Sequence, residues 1–423
     1  MRYIVLPVLP VLFFLALAAP LAAQEPSPPV LLGINYPLTG PYSVEGLDQI
    51  RAAQLAVDEL NTRGGILGRR IELVAKDSAS DVVRTRMNVN DLIDQGCSMI
   101  FGGSSSAVAI AASEECQKRN VPFFGTLTYS TATTLDNAHR VSFRECNNSR
   151  MSARVMADWL NDHYAGASYY YITADYTWGW TTEKAVRTVT ETQDASVHPG
   201  ALTPLGATDF SRELRQARAA QPDVLVLVLF GKDMAYALAQ AQDMGIKDEC
   251  QIVVPNLTLG MAERAGAQAM EGVVGTVPWT WSVPYLYEYA RGVEFIEAFV
   301  ARYRRYPSSS GASSYTIVHE YASAVERSGS FSTNSVIIAL EGHEYQLLKD
   351  PQTWRALDHQ SVQTVYMVRG NSLDQVLADP LRLDFFTVLS FLPGQETVLA
   401  PNEWRALRSG LGLLPHLEDL HAP

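Results

Sequence analysis

The stretch from Ile100 to Phe124, IFGGSSSAVAIAASEECQKRNVPFF, has an apolar run at each end and a helix-like segment between them. A buried strand, a helix and a second buried strand in this order predict a βαβ unit. Two glycines and three serines stand where the first strand meets the helix. These residues could form a phosphate-binding loop, carry a serine nucleophile, cap the helix, or bind some other anion.

The same alternation extends over most of the chain. Strand-like and helix-like segments alternate from residue 30 to residue 127, and again from residue 146 to residue 256. Continuous apolar strands in a βαβα order predict parallel sheets that are covered by helices on both faces. The later helical segments and the strand-like VQTVYMVRG (residues 362–370) complete these two sheets and do not begin a third core. We therefore predict an α/β protein with two Rossmann-like lobes.

The order of the segments requires the chain to cross between the lobes three times, and several crossings form a hinge beside a cleft. The predicted crossings lie near residues 143–147, 276–282 and 356–362. The predicted parts of the chain are an amino-terminal lobe (28–145 plus 280–357), a carboxyl-terminal lobe (146–279 plus 358–400) and a weakly structured tail (401–423).

The first residues are typical of a secretory signal peptide. Arg2 precedes a long apolar run, which ends in the small residues Ala22 and Ala23 before a polar, proline-rich segment. This order predicts a cleaved signal peptide over residues 1–23 and a periplasmic protein. An uncleaved membrane anchor is the alternative, and the three prolines in the segment argue against it. No cysteine follows the apolar run, so we expect no lipid attachment.

Composition limits the partners. The chain of 423 residues has 47% hydrophobic residues and a formal net charge of -12, so it can bury two cores and offers no basic surface for nucleic acid. Its four cysteines permit disulfides in an exported protein. Cys97 opens a predicted strand and Cys116 closes the next helix, so a disulfide between them is geometrically plausible. The cysteine spacings match no zinc pattern, and we expect neither a metal nor a cofactor.

Three of the four explanations for the serines can be weighed directly. A phosphate-binding loop requires a lysine after its last glycine, and none is present. A serine hydrolase of the α/β type requires G-x-S-x-G, but GGSSSAV lacks the second glycine. A helix cap needs one hydroxyl, and three are present. Because ligands of open α/β sheets bind at the carboxyl ends of strands, a small carboxylate at this helix N-terminus is favoured.

The next predicted strand ends in a similar way, in GTLTYSTATT (residues 125–134). Thr126, Thr128, Tyr129 and Ser130 place further hydroxyl and backbone N–H groups on the adjacent loop. An ordinary polar surface loop is the alternative. Because the two loops follow neighbouring strands, we expect them to converge on one site.

Four segments resemble the type 1 periplasmic binding proteins, and in particular the leucine/isoleucine/valine-binding branch that serves ABC importers. These segments are Ile34 to Asp81, IFGGSSSAVAIA, YYITADYTWGW and YPSSSGASSYTIVHEYASAV, and the resemblance covers residues 30–400. It implies a clamshell of two lobes with three crossovers, which closes on a small solute. It also implies a membrane permease as partner and a monomeric protein.

The resemblance places the ligand contacts at particular residues. The carboxylate-binding serine falls on Ser106, and the contacts of the next loop fall on Leu127, Thr128 and Tyr129. The second lobe would contribute Tyr176 or Trp178, Phe230 and Asn256, while Tyr42 and Glu45 would flank the mouth of the cleft. For Tyr176 and Trp178, packing on the lobe surface is the alternative.

Asn256 departs from the family pattern, which has an acid near this position to bind an ammonium group. An ammonium buried in a closed cleft requires an opposite charge, which asparagine lacks. Asp175, Asp233 or Glu45 could supply it, but the simpler interpretation is a ligand without an α-ammonium, such as a carboxylate or an amide. Branched-chain amino acids remain open.

The sequence therefore predicts a solute-binding protein of an ABC importer, which binds its ligand on the amino-terminal lobe and then closes. A sensory module that acts on a separate receptor, and a serine hydrolase or amidase, are the alternatives.

Overall fold

The computed structural model describes residues 1, 3–4 and 27–420. The predicted signal peptide therefore falls almost entirely outside the described residues. Within those residues, no helix combines the length and the apolar character that a membrane span requires.

The amino-terminal part of the chain folds into a five-stranded parallel sheet with the strand order β2-β1-β3-β4-β5. Its strands are β1 (Val30–Tyr36), β2 (Ile71–Asp77), β3 (Met99–Gly102), β4 (Phe123–Gly125) and β5 (Ser142–Arg144). The helices between them are α1 (Ser43–Thr62), α2 (Val82–Asp94) and α3 (Ser106–Arg119). The opening stretch forms the predicted βαβ unit, with Ile100 paired to Phe123 across β3 and β4.

The middle of the chain builds most of a second sheet, whose strand order is β15-β14-β10-β9-β8-β6-β7. The strands from this part are β6 (Tyr169–Ala174), β7 (Gly200–Thr203), β8 (Val224–Val228), β9 (Gln251–Val254) and β10 (Val274–Val277). The helices are α4 (Ser149–Tyr164), α5 (Thr177–Val189), α6 (Ser211–Ala220), α7 (Gly231–Asp243), α8 (Leu259–Ala265) and α9 (Ala267–Met270). Strand β8 is fully buried, as expected for a central parallel strand.

The chain then returns to the first sheet. It adds α10 (Ser282–Leu286), α11 (Ala290–Tyr303), α12 (Ser309–Ser328), α13 (Thr333–Leu340), and a small antiparallel sheet of β11 (Glu344–Tyr345), β12 (Gln352–Trp354) and β13 (Ser361–Val362). Side chains of α11, α12 and α13 join the core of the first sheet. Each large sheet with its helices is called a lobe below.

The last segments add two strands to the second sheet and end in a helix that packs beside Leu135. They are β14 (Val365–Gly370), α14 (Leu373–Ala378), β15 (Phe386–Leu392), α15 (Gly394–Thr397) and α16 (Pro401–Gly410). Strand β14 pairs antiparallel with both β10 and β15, so this sheet is mixed and not wholly parallel. The two-lobed α/β architecture predicted from the sequence is confirmed. The exact limits of the lobes stay a prediction.

A buried lysine joins the segments that connect the lobes. The Lys349 ammonium donates to the carbonyl of Pro278 at 2.7 Å, to Oε1 of Gln363 at 2.7 Å and to the carbonyl of Thr364 at 2.8 Å. The Gln363 amide in turn donates to the carbonyl of Glu145. Burial lowers the pKa of Lys349 to about 8. Residues 145, 278 and 363–364 all lie where the chain leaves one sheet for the other, so these bonds hold the connecting segments side by side.

The prediction of a weakly structured tail is wrong for residues 401–420. Trp404 of α16 is fully buried beside Leu135, and its indole N–H donates to the carbonyl of Thr134 at 2.9 Å. Glu418 accepts from the backbone N–H of Arg140 at 2.8 Å. The α16 sequence is mostly polar, and its two buried residues are Trp404 and Arg408, so the apolar pattern is too weak to reveal the packed face.

The predicted disulfide between Cys97 and Cys116 is also wrong, because all four cysteines are free thiols. The Cys97 sulfur lies against Gly33 of β1, 3.3 Å from where a Cβ would stand, and so faces β1. Burial raises the pKa of Cys97 to about 11 and that of Cys116 well above its usual range. Both thiols therefore stay protonated at neutral pH.

This arrangement predicts the outcome of thiol titration. In denaturant without a reductant, we expect all four thiols to react with Ellman's reagent. In the native protein we expect at most one, because only Cys250 is partly exposed. Two reactive thiols in denaturant would instead show that a disulfide had formed.

Candidate ligand-binding site

The serine-rich segment forms the N-terminus of α3. Ser105 is the N-cap residue, and its hydroxyl accepts a hydrogen bond from the backbone N–H of Val108 at 3.4 Å. The hydroxyls of Ser104 and Ser106 are buried and have no partner among the described residues. One hydroxyl therefore caps the helix, as one alternative required, and two remain available at a helix N-terminus.

The structure brings the second loop against the first. A Cβ at Gly103, which has a φ of 124°, would lie 2.9 Å from the carbonyl of Leu127, so this close approach requires glycine. In the second loop the hydroxyl groups of Thr128 and Tyr129 are buried without a partner. The Leu127 side chain is fully buried in the core of the carboxyl-terminal lobe.

An aromatic cluster joins the two lobes at this site. The Phe230 ring, just before α7, lies 5.2 Å from the Tyr42 ring, 5.4 Å from the Tyr129 ring and 5.8 Å from the Trp178 ring, centroid to centroid. The hydroxyl of Tyr42 donates to that of Tyr176 at 2.7 Å. Tyr42 and Tyr129 belong to the amino-terminal lobe and the other three to the carboxyl-terminal lobe, so the lobes are closed on each other.

Tyr42 and Glu45 do not flank the cleft mouth as the resemblance implied, because both are buried in the interface between the lobes. Gly231 makes room for the Tyr42 ring, since a Cβ there would lie 2.4 Å from Cδ1 of that ring. Glu45 accepts a hydrogen bond from the Thr258 hydroxyl at 2.5 Å across the interface. The first turn of α1 therefore lies inside the closed site.

Asn256 and Tyr129 face each other in the same interface. Burial raises the pKa of Tyr129 well above its usual range, the charge of Glu45 raises it further, and nearby Ser309 and Asn256 lower it. No hydrogen bond of normal geometry satisfies the Tyr129 hydroxyl, the Ser309 hydroxyl or either polar atom of the Asn256 amide. Unpartnered buried polar groups are rare in folded proteins, so several together at one interface are groups that could bind a polar ligand.

Asp175 and Asp233 are the two other acids that the sequence offered for binding an ammonium group, and their surroundings differ. The Asp175 side chain is exposed and accepts from the indole N–H of Trp180 at 3.0 Å. Asp233 is buried, but its carboxylate accepts from the backbone N–H of Gly206 at 2.8 Å. Burial raises the pKa of Asp233 to about 6.

Sequence reasoning missed three residues of the site. Gln49 lies one helical turn after Glu45 and accepts from the Thr126 hydroxyl at 2.8 Å, while its Nε2 has no partner. Helical spacing on α1 could have identified it. Ser309 lies in a serine-rich segment at the start of α12, where the sequence offers no means of choosing one hydroxyl among several. Thr258 is the N-cap residue of α8, so its place at a helix start could have identified it.

Within the described residues, the site contains neither a serine hydrogen-bonded to a base at Ser106 nor a group of metal ligands. The Ser106 hydroxyl has no hydrogen-bond partner among the described residues, so no base activates it there. Within the same residues, no three His, Cys, Asp or Glu side chains form a group that could hold a metal ion. Two α/β lobes that meet over buried polar groups are an arrangement typical of proteins that close around a small solute.

Comparisons with known proteins identify the family. A family model described as periplasmic binding protein matches residues 29–375, and the chain belongs to this family. The Leu/Ile/Val-binding protein homolog 7 of Brucella suis biovar 1 (strain 1330) is 25% identical over 315 residues, which cover 70% of this chain and 77% of the relative. Members of this family are binding proteins, as predicted from the sequence.

Two solved structures show the same fold. A solute-binding protein of an ABC transporter from Rhodopseudomonas palustris BisB5, in complex with 3,4-dihydroxybenzoic acid, superimposes with a TM-score of 0.76 at 18% identity, over 88% of this chain and 99% of that one. The branched-chain amino acid transporter substrate-binding protein LivJ of Streptococcus pneumoniae, in complex with isoleucine, gives a TM-score of 0.72 at 21% identity, over 85% and 99%.

Proposed function

We propose that this protein is the periplasmic solute-binding component of an ABC importer, which closes around a small carboxylate, amide or amino-acid-like ligand and delivers it to a membrane permease. The observation that carries this proposal is the group of unpartnered polar atoms buried between the closed lobes. Its relative in Brucella suis is named for binding leucine, isoleucine and valine, which supports a ligand of that size. None of these comparisons favours a sensory role.

The proposed mechanism contains no chemical step. The ligand first binds the amino-terminal lobe, where its carboxylate accepts hydrogen bonds from the N-terminus of α3 and from the Ser106 and Thr128 hydroxyls. Phe230 and Trp178 then close over it and exclude water. The ligand shifts the equilibrium toward the closed form because it contacts both lobes. The permease recognises that form of the monomer, which a signal peptide over residues 1–23 has directed to the periplasm.

A thermal-shift panel tests this function. It includes amino acids, aromatic acids, short carboxylates, amides and urea. A ligand at 100 times its Kd stabilises the native protein by about 2.7 kcal/mol, which is readily detected. If no compound of this kind raises the melting temperature, the proposed function is wrong.

For the best compound of the panel, we expect Ser106→Ala to weaken binding about tenfold, because one hydrogen bond to a charged group is worth about 1.5 kcal/mol or more. Titration calorimetry measures the Kd. Ser113→Ala is the matched control on the same helix, since the Ser113 hydroxyl donates to the carbonyl of Ile110 within that helix, at 3.0 Å. Equal affinity in wild type and Ser106→Ala would remove Ser106 from the site.

A further inference from the structure

Glu45 is a fully buried acid in the interface between the lobes. It stands in the first turn of α1, its side chain is fully buried, and the Thr258 hydroxyl from the opposite lobe donates to its Oε1 at 2.5 Å. Gly260 provides the space for it, because a Cβ at that position would lie 2.5 Å from the same oxygen. The carboxyl-terminal lobe is therefore shaped to accept this carboxyl group.

The second oxygen of Glu45 has no partner among the described residues. Asn256, Tyr129 and Ser309 lie close to one another in this interface, but within the described residues their polar atoms form no hydrogen bond of normal geometry. An ammonium group donates three hydrogen bonds and accepts none. The Glu45 Oε2, the Asn256 Oδ1 and a hydroxyl oxygen could accept all three.

Around Glu45 the negative side chains outnumber the positive ones by one. The Arg305 guanidinium lowers the pKa of Glu45, but it already pairs with Asp48 at 3.3 Å and with Glu263 at 3.0 Å. Asp48 also pairs with Arg51 at 3.2 Å. Asp48, Glu263 and Glu45 therefore share two guanidinium groups, and no ion pair joins Glu45 to any cation of the described chain.

The pKa of Glu45 agrees with this geometry. The pKa of Glu45 is raised to about 7. Burial is the largest cause, and the negative charges of Asp48 and Glu263 also raise it. The hydrogen bond from Thr258 and the charge of Arg305 lower it. At neutral pH Glu45 is thus partly protonated, and a bound cation would favour its ionised form.

We propose that Glu45 binds the ammonium group of an α-amino acid ligand and supplies the negative charge that Asn256 lacks. This inference rests on the proposed function and narrows its ligand class to amino acids. Of the two interpretations of Asn256, it adopts the one in which Glu45 supplies the missing charge and not the simpler one of a ligand without an ammonium, because Glu45 is buried between the lobes. The acid thus comes from the amino-terminal lobe, next to the helix that binds the carboxylate.

Two ligand pairs test the role of Glu45. L-Leucine is compared with 4-methyl-2-oxopentanoate, and L-phenylalanine with phenylpyruvate, since each pair differs only in an ammonium or a keto group at the α-carbon. In the wild type we expect one of the amino acids to bind at least 100-fold more tightly than its 2-oxo acid. In Glu45→Gln we expect this ratio to fall below tenfold with the affinity for the 2-oxo acid retained.

A second variant, Glu45→Gln combined with Asn256→Asp, tests whether the negative charge or the local structure determines the preference for the amino acid. The glutamine of Glu45→Gln can still accept from Thr258, so we expect its melting temperature to match the wild type. Adding Asn256→Asp to Glu45→Gln returns a carboxylate to the site, and we expect it to restore the preference for the amino acid at least tenfold.

Three results would overturn the inference: a wild type that binds the 2-oxo acids as well as the amino acids, an unchanged ratio in Glu45→Gln, or no binding of either amino acid. The proposed function fails separately, and only if the whole panel of solutes leaves the melting temperature unchanged.

Discussion

Phe230→Ala should weaken ligand binding about 100-fold and leave the stability of the ligand-free protein nearly unchanged. The Phe230 ring contacts the rings of Tyr42, Tyr129 and Trp178, and two of these belong to the opposite lobe. Removing a buried phenylalanine costs about 3–5 kcal/mol in a protein core. In this protein the substitution mainly destabilises the closed form, because opening the lobes already separates Phe230 from Tyr42 and Tyr129. A 100-fold change in Kd corresponds to about 2.7 kcal/mol.

Titration calorimetry with the best ligand of the panel measures this effect, and thermal unfolding without ligand measures stability. Phe391→Ala is the matched control, because Phe391 also belongs to the carboxyl-terminal lobe but is 45% exposed in β15. A loss of stability in Phe230→Ala with unchanged affinity would show that the aromatic cluster is ordinary core and not part of a closing site.

Arg144→Met should lower the free energy of unfolding by about 3 kcal/mol. The buried Arg144 guanidinium donates to Oε1 of Gln360 at 2.7 Å and to the Thr133 hydroxyl at 2.5 Å. It also donates to the Ser130 carbonyl and the Thr134 hydroxyl. Burial lowers its pKa to about 10, so it stays charged at pH 7. Methionine fills much of the volume but leaves these acceptors without a donor, at about 1–3 kcal/mol for a fully unsatisfied group.

Urea denaturation followed by circular dichroism measures the change for Arg144→Met. Arg70→Met is the control, since the Arg70 side chain is exposed and should contribute less than about 0.5 kcal/mol. The two variants remove the same charge from the chain. An equal effect of both would mean that net charge, and not the buried hydrogen bonds, determines the result.

The central strands and their loops could be predicted from the sequence because their physical signals are local. The apolar run at residues 224–228 is buried from end to end, and Ile100 to Phe124 folds as the predicted βαβ unit. Loops after adjacent parallel strands lie side by side, so the approach of Gly103 in the first loop to Leu127 in the second required no knowledge of side-chain packing.

The short and edge strands could not be predicted. Strand β5 has three residues, too few to show a period, and the exposed residues of β7 and β15 reflect their place at the edges of the sheet. Strand β15 pairs antiparallel, a direction that the periodicity of a strand does not encode.

The buried position of Glu45 could not be predicted from the sequence either, because it depends on how two distant segments meet. A charged residue beside a glycine in a loop-to-helix segment normally indicates exposure. Only the contacts with Thr258 and Gly260, more than 200 residues away, show that the carboxyl group is enclosed. The same holds for Tyr42, whose partner Phe230 comes from the other lobe.

A crystal structure of the protein with the best compound of the panel tests the central claim most directly. We expect the compound between the lobes, with its carboxylate at the N-terminus of α3 near Ser106 and Thr128, and with Phe230 and Trp178 against its side chain. Electron density for the compound elsewhere, with the interface between the lobes still filled only by protein side chains, would contradict this account.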